Sequence, residues 1–303
     1  MKNKKASAYI GMVIYAVLVG FTFIFVKNST DVASPLETMT FRFAAAMLPF
    51  IVLLIAGKLK VSIKGKSKLA ILFEALTYVG FLGFQAFGLR YTTSIVSGIL
   101  FAMVPVFARI AGGIILREKT TALQNVCMCL SVAAVIAMFV IGSIDTLAAI
   151  DWRGFVLLAV SSICCAVSNV LMRHVKREYK PLEISFISCL LGFIIFAAMS
   201  IVSNTVNGTW GTFFEPLKNT GFLVGVLYLG IFCTFVTGVL VSRSLRHLPA
   251  VNATIWGNVS AAISVVAGAL VLGEPLEVYQ IICTVVIIAG VLGISFLGNK
   301  KRD

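Results

Sequence analysis

The stretch YTTSIVSGILFAMVPVFARIAGGIILREK, Tyr91 to Lys119, decides the fold because it occurs twice. It opens on Tyr91-Thr92-Thr93-Ser94, runs apolar through Pro105, Arg109 and Gly112, and closes on Leu116-Arg117-Glu118-Lys119. A shift of 156 positions, which carries Glu118 to Glu274, brings up a second copy. That copy reads His247-Leu248-Pro249, an apolar run through Trp256 and Gly268, then Leu272-Gly273-Glu274-Pro275. Ile99/Ile255, Ala111/Ala267, Gly112/Gly268, Leu116/Leu272 and Glu118/Glu274 are identical across the shift. An earlier pair, Pro35-Leu36-Glu37 and Pro181-Leu182-Glu183, is offset by 146 and supports the same reading. The chain carries an internal duplication.

Composition says where such a chain lives. It has 303 residues, is 59% hydrophobic and only 12% charged, and its mean hydropathy is +1.02. A helical membrane protein needs that much apolar surface and a soluble domain does not. The net charge of +13 would suggest nucleic acid in a soluble chain, but here the basic residues sit between apolar runs and read as topology signals. The seven cysteines, at 127, 129, 164, 165, 189, 233 and 283, all fall inside apolar runs without metal or redox spacing. They read as small packing residues.

Ten segments approach the roughly 20 residues that a bilayer crossing needs. They are Ala8–Val26, Leu36–Ala56, Leu69–Gly88, Ser94–Leu116, Thr121–Ile141, Trp152–Met172, Leu182–Ser203, Thr220–Leu240, Pro249–Leu272 and Leu276–Leu297. The first follows Lys2, Lys4 and Lys5 but is long and ends at Lys27, so it reads as a retained span rather than a signal peptide. With both termini in the cytoplasm, nineteen of the 25 lysines and arginines fall on the cytoplasmic side. Only Lys27, Arg90, Arg153 and Lys218 fall outside, with Arg42 and Arg109 inside spans. That bias sets the expected orientation.

Five spans per copy is odd, so the second copy enters the membrane upside down. The expected fold class is an all-α polytopic membrane protein of ten transmembrane helices in two inverted five-helix repeats, residues 1–150 and 151–303. Inverted repeats are a transporter architecture, with substrate held near the midplane between the copies.

The Pro-Leu-Glu opening of span 2 with Phe41-Arg42-Phe43, the Gly112…Leu116-Arg117-Glu118 and Gly268…Leu272-Gly273-Glu274 span ends, and Ala289-Gly290-Val291 near the close carry a resemblance. They resemble the EamA-type transporters of the drug/metabolite transporter superfamily, over nearly the whole chain. The resemblance implies a central cavity lined mainly by spans 1, 3, 4, 6, 8 and 9, with spans 5 and 10 peripheral. It also implies export or exchange of amino acids or related metabolites, with a broader drug-like range as the alternative. The Trp-Gly frequent in span 1 of that family is Val19-Gly20 here, which leaves an aromatic contact either absent or supplied by Phe21.

Candidate cavity residues follow from polar and aromatic side chains inside spans. In span 3 Glu74, Tyr78, Phe81 and Gln85 form a stripe spaced 4, 3 and 4. The shift by 156 carries Tyr78 onto Thr234 in span 8, and Asn169 adds an amide in span 6. In span 9 Asn252 shares a face with Trp256, and Thr254 with Asn258; the alternative for these is interhelical hydrogen bonding. Such a lining suits small zwitterionic or amphipathic solutes. Glu74 and Arg109 lie at equal distances from the turn joining spans 3 and 4, about 26 Å inward at 1.5 Å per residue. An ion pair between them is expected, either as a gate or proton-sensitive site or as a static bridge. Arg42 is expected to anchor span 2, with a cavity role as the lesser alternative. Pro105 is expected to kink span 4 alone, since Ala261 is its match. Ala108 with Gly112, and Ser264 with Gly268, are expected to mark close crossings of spans 4 and 9.

No G-x-x-x-x-G-K-[ST] and no G-x-S-x-G occurs, and both histidines fall at span ends. The chain therefore reads as neither a nucleotide-driven pump nor an enzyme, and no cofactor or metal is expected. The expected partners are a small organic solute and membrane lipids, with no nucleic acid; a homodimer is compatible with the sequence. The expected location is the plasma membrane. A lipid flippase or non-transporting membrane subunit is the competing class.

Overall fold

A computed structural model describes residues 2–62, 65–115, 122–144, 151–244 and 250–299. Ten helices cross back and forth, and no strand occurs among the described residues. We label them α1 (Lys2–Gly20 and Thr22–Val32), α2 (Pro35–Ile55), α3 (Lys68–Leu89), α4 (Ser94–Ala102 and Val104–Ile115) and α5 (Ala122–Ile144). The second copy supplies α6 (Trp152–Val175), α7 (Pro181–Asn207), α8 (Thr220–Leu227, Tyr228–Val236 and Thr237–Ser244), α9 (Ala250–Leu272) and α10 (Val278–Asn299). Seven are long and apolar enough to span a bilayer outright; shorter apolar helices, Asn125–Ala134, Val259–Leu272 and Val278–Gly290, lie in the other three.

The two Pro-Leu-Glu landmarks do the same local work. Pro35 and Pro181 each occupy the first helical turn, where the missing N–H costs nothing. Glu37 and Glu183 then reach back to the backbone N–H of Ser34 and Lys180, at 3.0 and 2.8 Å. Each motif starts a helix by satisfying a donor that would otherwise be left open.

Packing repeats with the sequence. The pairs α3·α6 and α1·α8 are equivalent under the duplication, as are α4·α6 with α9·α1 and α3·α7 with α8·α2. The pairs α2·α7, α4·α9 and α5·α10 map onto themselves. Each cross-contact is therefore matched by its swap, which is what a two-fold axis between inverted copies requires. All seven cysteines are free thiols.

Three helices are irregular, and these breaks carry the local asymmetry. α4 breaks at Met103, where Pro105 cannot donate to the carbonyl four residues earlier. Its match α9 runs unbroken past Ala261, so the expected one-sided kink is present. α1 breaks at Phe21, and α8 is π-helical from Tyr228 to Val236. The two lean on each other. The Leu18 carbonyl, one turn before the break in α1, accepts from Tyr228 Oη at 2.9 Å and Cys233 Sγ at 3.3 Å on α8.

One small-residue stripe meets the other copy among the described residues. Ser264 and Gly268 on α9 face Gly98, Ser94 and Ile95 in the first half of α4, so that crossing forms. Ala108 lies beyond the break and packs on the cluster of Val104, Cys165 and Ala166. The side chains at the start of α9, which the matching crossing through Ala108 and Gly112 would meet, lie outside the described residues.

Gly230, in the π-helical stretch, permits the closest approach of α8 to α2. A Cβ there would lie 2.5 Å from the Arg42 carbonyl oxygen and 2.7 Å from Ala45 Cβ. Backbone cannot yield to it as a flexible side chain could. Gly230→Ala is expected to destabilise the protein by about 1–3 kcal/mol. Gly257→Ala on α9, with nothing within 4 Å of its added Cβ, is expected to leave stability unchanged or raise it by up to about 1 kcal/mol. Thermal unfolding of the two purified variants in detergent checks the contrast.

Candidate functional site

Between the copies lies a cavity of about 220 Å³. Its walls come from α1, α2, α3, α4, α6, α7 and α8. The stripe on α3 faces it as a unit: Glu74, Tyr78, Phe81 and Gln85 all line the cavity. The helical spacing that put them on one face of α3 is the reason. Asn169 on α6 and Thr234 on α8 line it too, so five candidate solute contacts and Glu74 are gathered in one place.

The helices α2 and α7 are part of the lining, and α9 is absent from it among the described residues. This departs from the helix set expected by resemblance. Trp256 packs with Met12 and Tyr15 in the seam between α1 and α9, outside the cavity. α9 lies along α1 there. The side chains of Asn252 and Asn258 lie outside the described residues. In α1 Val19 and Phe23 line the cavity, whereas Phe21 sits at the helix break and does not.

Glu74 is fully buried, at 0% exposure. Its Oε1 accepts from Ser168 Oγ on α6 at 3.1 Å, and its Oε2 from Ser188 Oγ on α7 at 2.8 Å. Both donors belong to the second copy. This corrects the expected pair with Arg109. The depth estimate put the two residues at one level, but the direction around the helix was wrong. Past Met103 the second half of α4, which carries Arg109, packs on α6 rather than on α3.

Arg42 also corrects its expected role. It is 2% exposed and lines the cavity, so its guanidinium does not reach a headgroup region. Sequence reasoning underrated it because position alone cannot tell a buried arginine from a snorkelling one. One signal was available. Its repeat match is Ser188, and Glu74 matches Gly230. The structure places Glu74 against Ser188 and Gly230 against Arg42. The acid and the base thus stand at the two symmetry-related junctions, α3/α7 and α8/α2.

The cavity is unequal towards the two faces. On the face carrying the loop Lys58–Lys68 and the segment Lys176–Lys180 it reaches Met172, Pro181 and Val241, near the ends of α6, α7 and α8. Towards the opposite face its nearest lining residue is Gln85, one turn short of the end of α3. Side chains tie helices together there. Lys27 Nζ donates to the carbonyls of Leu89 at 3.0 Å and Thr92 at 3.3 Å. Glu274 receives Ser94 N–H at 2.9 Å, Ser94 Oγ at 2.7 Å and Ile95 N–H at 3.0 Å. It therefore caps the start of α4, where an anion is favoured by the open N–H groups and the helix dipole.

A ten-helix inverted repeat around a midplane cavity defines a membrane-transporter class of fold. The chain belongs to the EamA-like transporter family, which matches residues 6–140 and 152–296. It is 32% identical over 302 residues to a Bacillus subtilis protein named uncharacterized transporter YcxC, covering 99% of this chain and 96% of that one. An uncharacterized transporter of Archaeoglobus fulgidus is 24% identical, covering 90% of this chain and 92% of its own. A solved crystal structure shares the fold, with TM-score 0.65 at 12% identity over 99% of this chain and 98% of its own. The protein is a multi-pass membrane protein of a transporter family.

Removing the Glu274 cap tests the ties on the opposite face. Glu274→Ala leaves the N–H groups of Ser94 and Ile95 without their carboxylate. A loss of about 1–3 kcal/mol is expected, read as a lower melting temperature of the detergent-solubilised protein. Glu277→Ala, outside this network of bonds to α4, serves as the comparison.

Proposed function

We propose that the protein is a secondary transporter, and not an enzyme, that moves small organic metabolites by alternating access. The solutes are amino acids or related zwitterionic and amphipathic compounds, carried by export or exchange. It works in the plasma membrane with both termini in the cytoplasm. The observation that carries this reading is a cavity between inverted copies that extends to the lysine-rich face and stops short of the other. By the positive-inside bias the lysine-rich face is cytoplasmic, so the described conformation is the inward-facing one.

The cavity chemistry supports the solute class. One base, one acid, the amides of Gln85 and Asn169, and several aromatic rings line it. A multiply charged phosphate would find a single cation there among the described residues. Inverted copies also make the outward-facing state a near-equivalent packing of the same chain, so neither state needs a large driving force.

Reconstituted protein tests the reading directly. Radiolabelled amino acids are expected to show counterflow in liposomes, and a failed solute screen together with lipid scrambling would favour the flippase instead. A cysteine at Met172 in a background without native cysteines is expected to react with a membrane-impermeant maleimide only from the cytoplasmic side. Pro105→Ala is expected to lower turnover several-fold while leaving solute affinity near wild type, because the break it supports belongs to the moving scaffold. Unchanged counterflow in well-expressed Pro105→Ala protein would remove that role.

A further inference from the structure

The geometry points to Arg42 as the group that binds a carboxylate of the solute, an inference that rests on the transport reading above. Its Nε and Nη1 are buried and have no hydrogen-bond partner among the described residues. A buried guanidinium with open donors is costly unless an acceptor arrives. The one carboxylate lining the cavity, that of Glu74, already accepts from Ser168 and Ser188. Arg42 lies seven residues into α2 and Glu74 six into α3, about 10 Å from opposite ends at 1.5 Å per residue. The base and the acid therefore flank the midplane from opposite sides, rather than forming one pair.

The support around Arg42 is built to hold it still. On one side Phe43 stacks on Phe196 of α7 at 5.7 Å, and Thr40 Oγ1 lies 2.9 Å from Ser200 Oγ. On the other side Gly230 brings α8 against the Arg42 carbonyl. A guanidinium holds a carboxylate by two parallel bonds, with Nη2 paired to either Nε or Nη1. The fold itself does not require the charge, because the matching position in the second copy is Ser188.

Charge count selects among oxyanions. Among the described residues the cavity has one cation and one anion, which suits a monoanionic carboxylate rather than a dianionic phosphate. The neighbouring wall is apolar, with Phe23, Phe81, Leu82 and Phe101, which suits a compact aliphatic or aromatic body. The solute class is thus small monocarboxylates with an apolar side, amino acids among them.

The test compares acids with their own amides on full-length protein in detergent. Equilibrium dialysis is run with L-leucine and L-leucinamide, L-phenylalanine and L-phenylalaninamide, and 3-phenylpropionate and 3-phenylpropionamide. At least one acid is expected to bind wild type about tenfold or more tighter than its amide. Arg42→Gln brings that acid to the level of the amide, and Arg42→Lys falls between. No preference for any acid, including no binding by the whole set, overturns the inference. So does Arg42→Gln binding the acid as tightly as wild type. Should Arg42→Gln fail to elute as a single folded species, the acid–amide comparison on wild type alone decides. Counterflow separates the two readings. Acid binding without counterflow removes the transport reading and leaves the carboxylate site. Counterflow of an acid through Arg42→Gln at the wild-type rate removes the site and leaves transport.

Discussion

The heavily packed helix pairs around the cavity all join one copy of the repeat to the other. α3 lies on α6 and α7, α1 on α8 and α9, and α2, α4 and α5 each meet their own counterparts. A single five-helix unit would leave these faces without partners, and its buried polar groups would have nothing to bond. Glu74 makes the point: both serines that satisfy its carboxylate come from the other copy. The central cavity is therefore a property of the pairing and exists in neither half.

The helix breaks follow from the same pairing. Backbone groups released from a helix in hydrocarbon must find partners within the protein. The break in α1 occurs where α8 supplies Tyr228 and Cys233 to the Leu18 carbonyl, and α8 is itself π-helical over that stretch. Irregular backbone is thus concentrated on helices that line the cavity, α1, α4 and α8, while α5 and α10 are regular and pair with each other at the edge. α4 has Pro105 as its cause, and glycines stand at the other two, Gly20 beside the break in α1 and Gly230 inside the π-helical stretch of α8. Without a proline these two were not legible in the sequence.

Legibility divides along that line. The duplication and the alternation of ten spans could be read because apolar length, cap motifs and charge bias are local signals. Span ends were less certain: α1 runs to Val32 rather than Val26, and α7 to Asn207 rather than Ser203. Within a helix, the stripe Glu74, Tyr78, Phe81 and Gln85 was legible because helical spacing fixes one face. What spacing cannot fix is which neighbour that face meets. The Glu74–Arg109 pairing and the place of Trp256 both depended on azimuth between helices, and both came out differently. Azimuth was set by the break at Met103 and by α9 lying along α1, both consequences of packing between copies.

The duplication leaves one more trace in the charges. An inverted copy carries every position to the mirrored depth, so a strictly symmetric pair with acid at one junction would have acid at both. Here position 74 is acidic and its match, 230, is glycine, while position 42 is basic and its match, 188, is serine. Keeping both acids would leave two like charges flanking the midplane, and keeping both bases would do the same. Like charges in a low-dielectric cavity repel and each carries its own desolvation cost. One of each leaves the lining near neutral but polarised along the membrane normal, with the base towards one face and the acid towards the other. The small residues at the matching positions are used by the packing: Ser188 donates to Glu74, and Gly230 admits the α2 backbone at Arg42. The two symmetry-related junctions are thus two different sites, the acid bonded to the serine that matches the base and the base's backbone packed on the glycine that matches the acid.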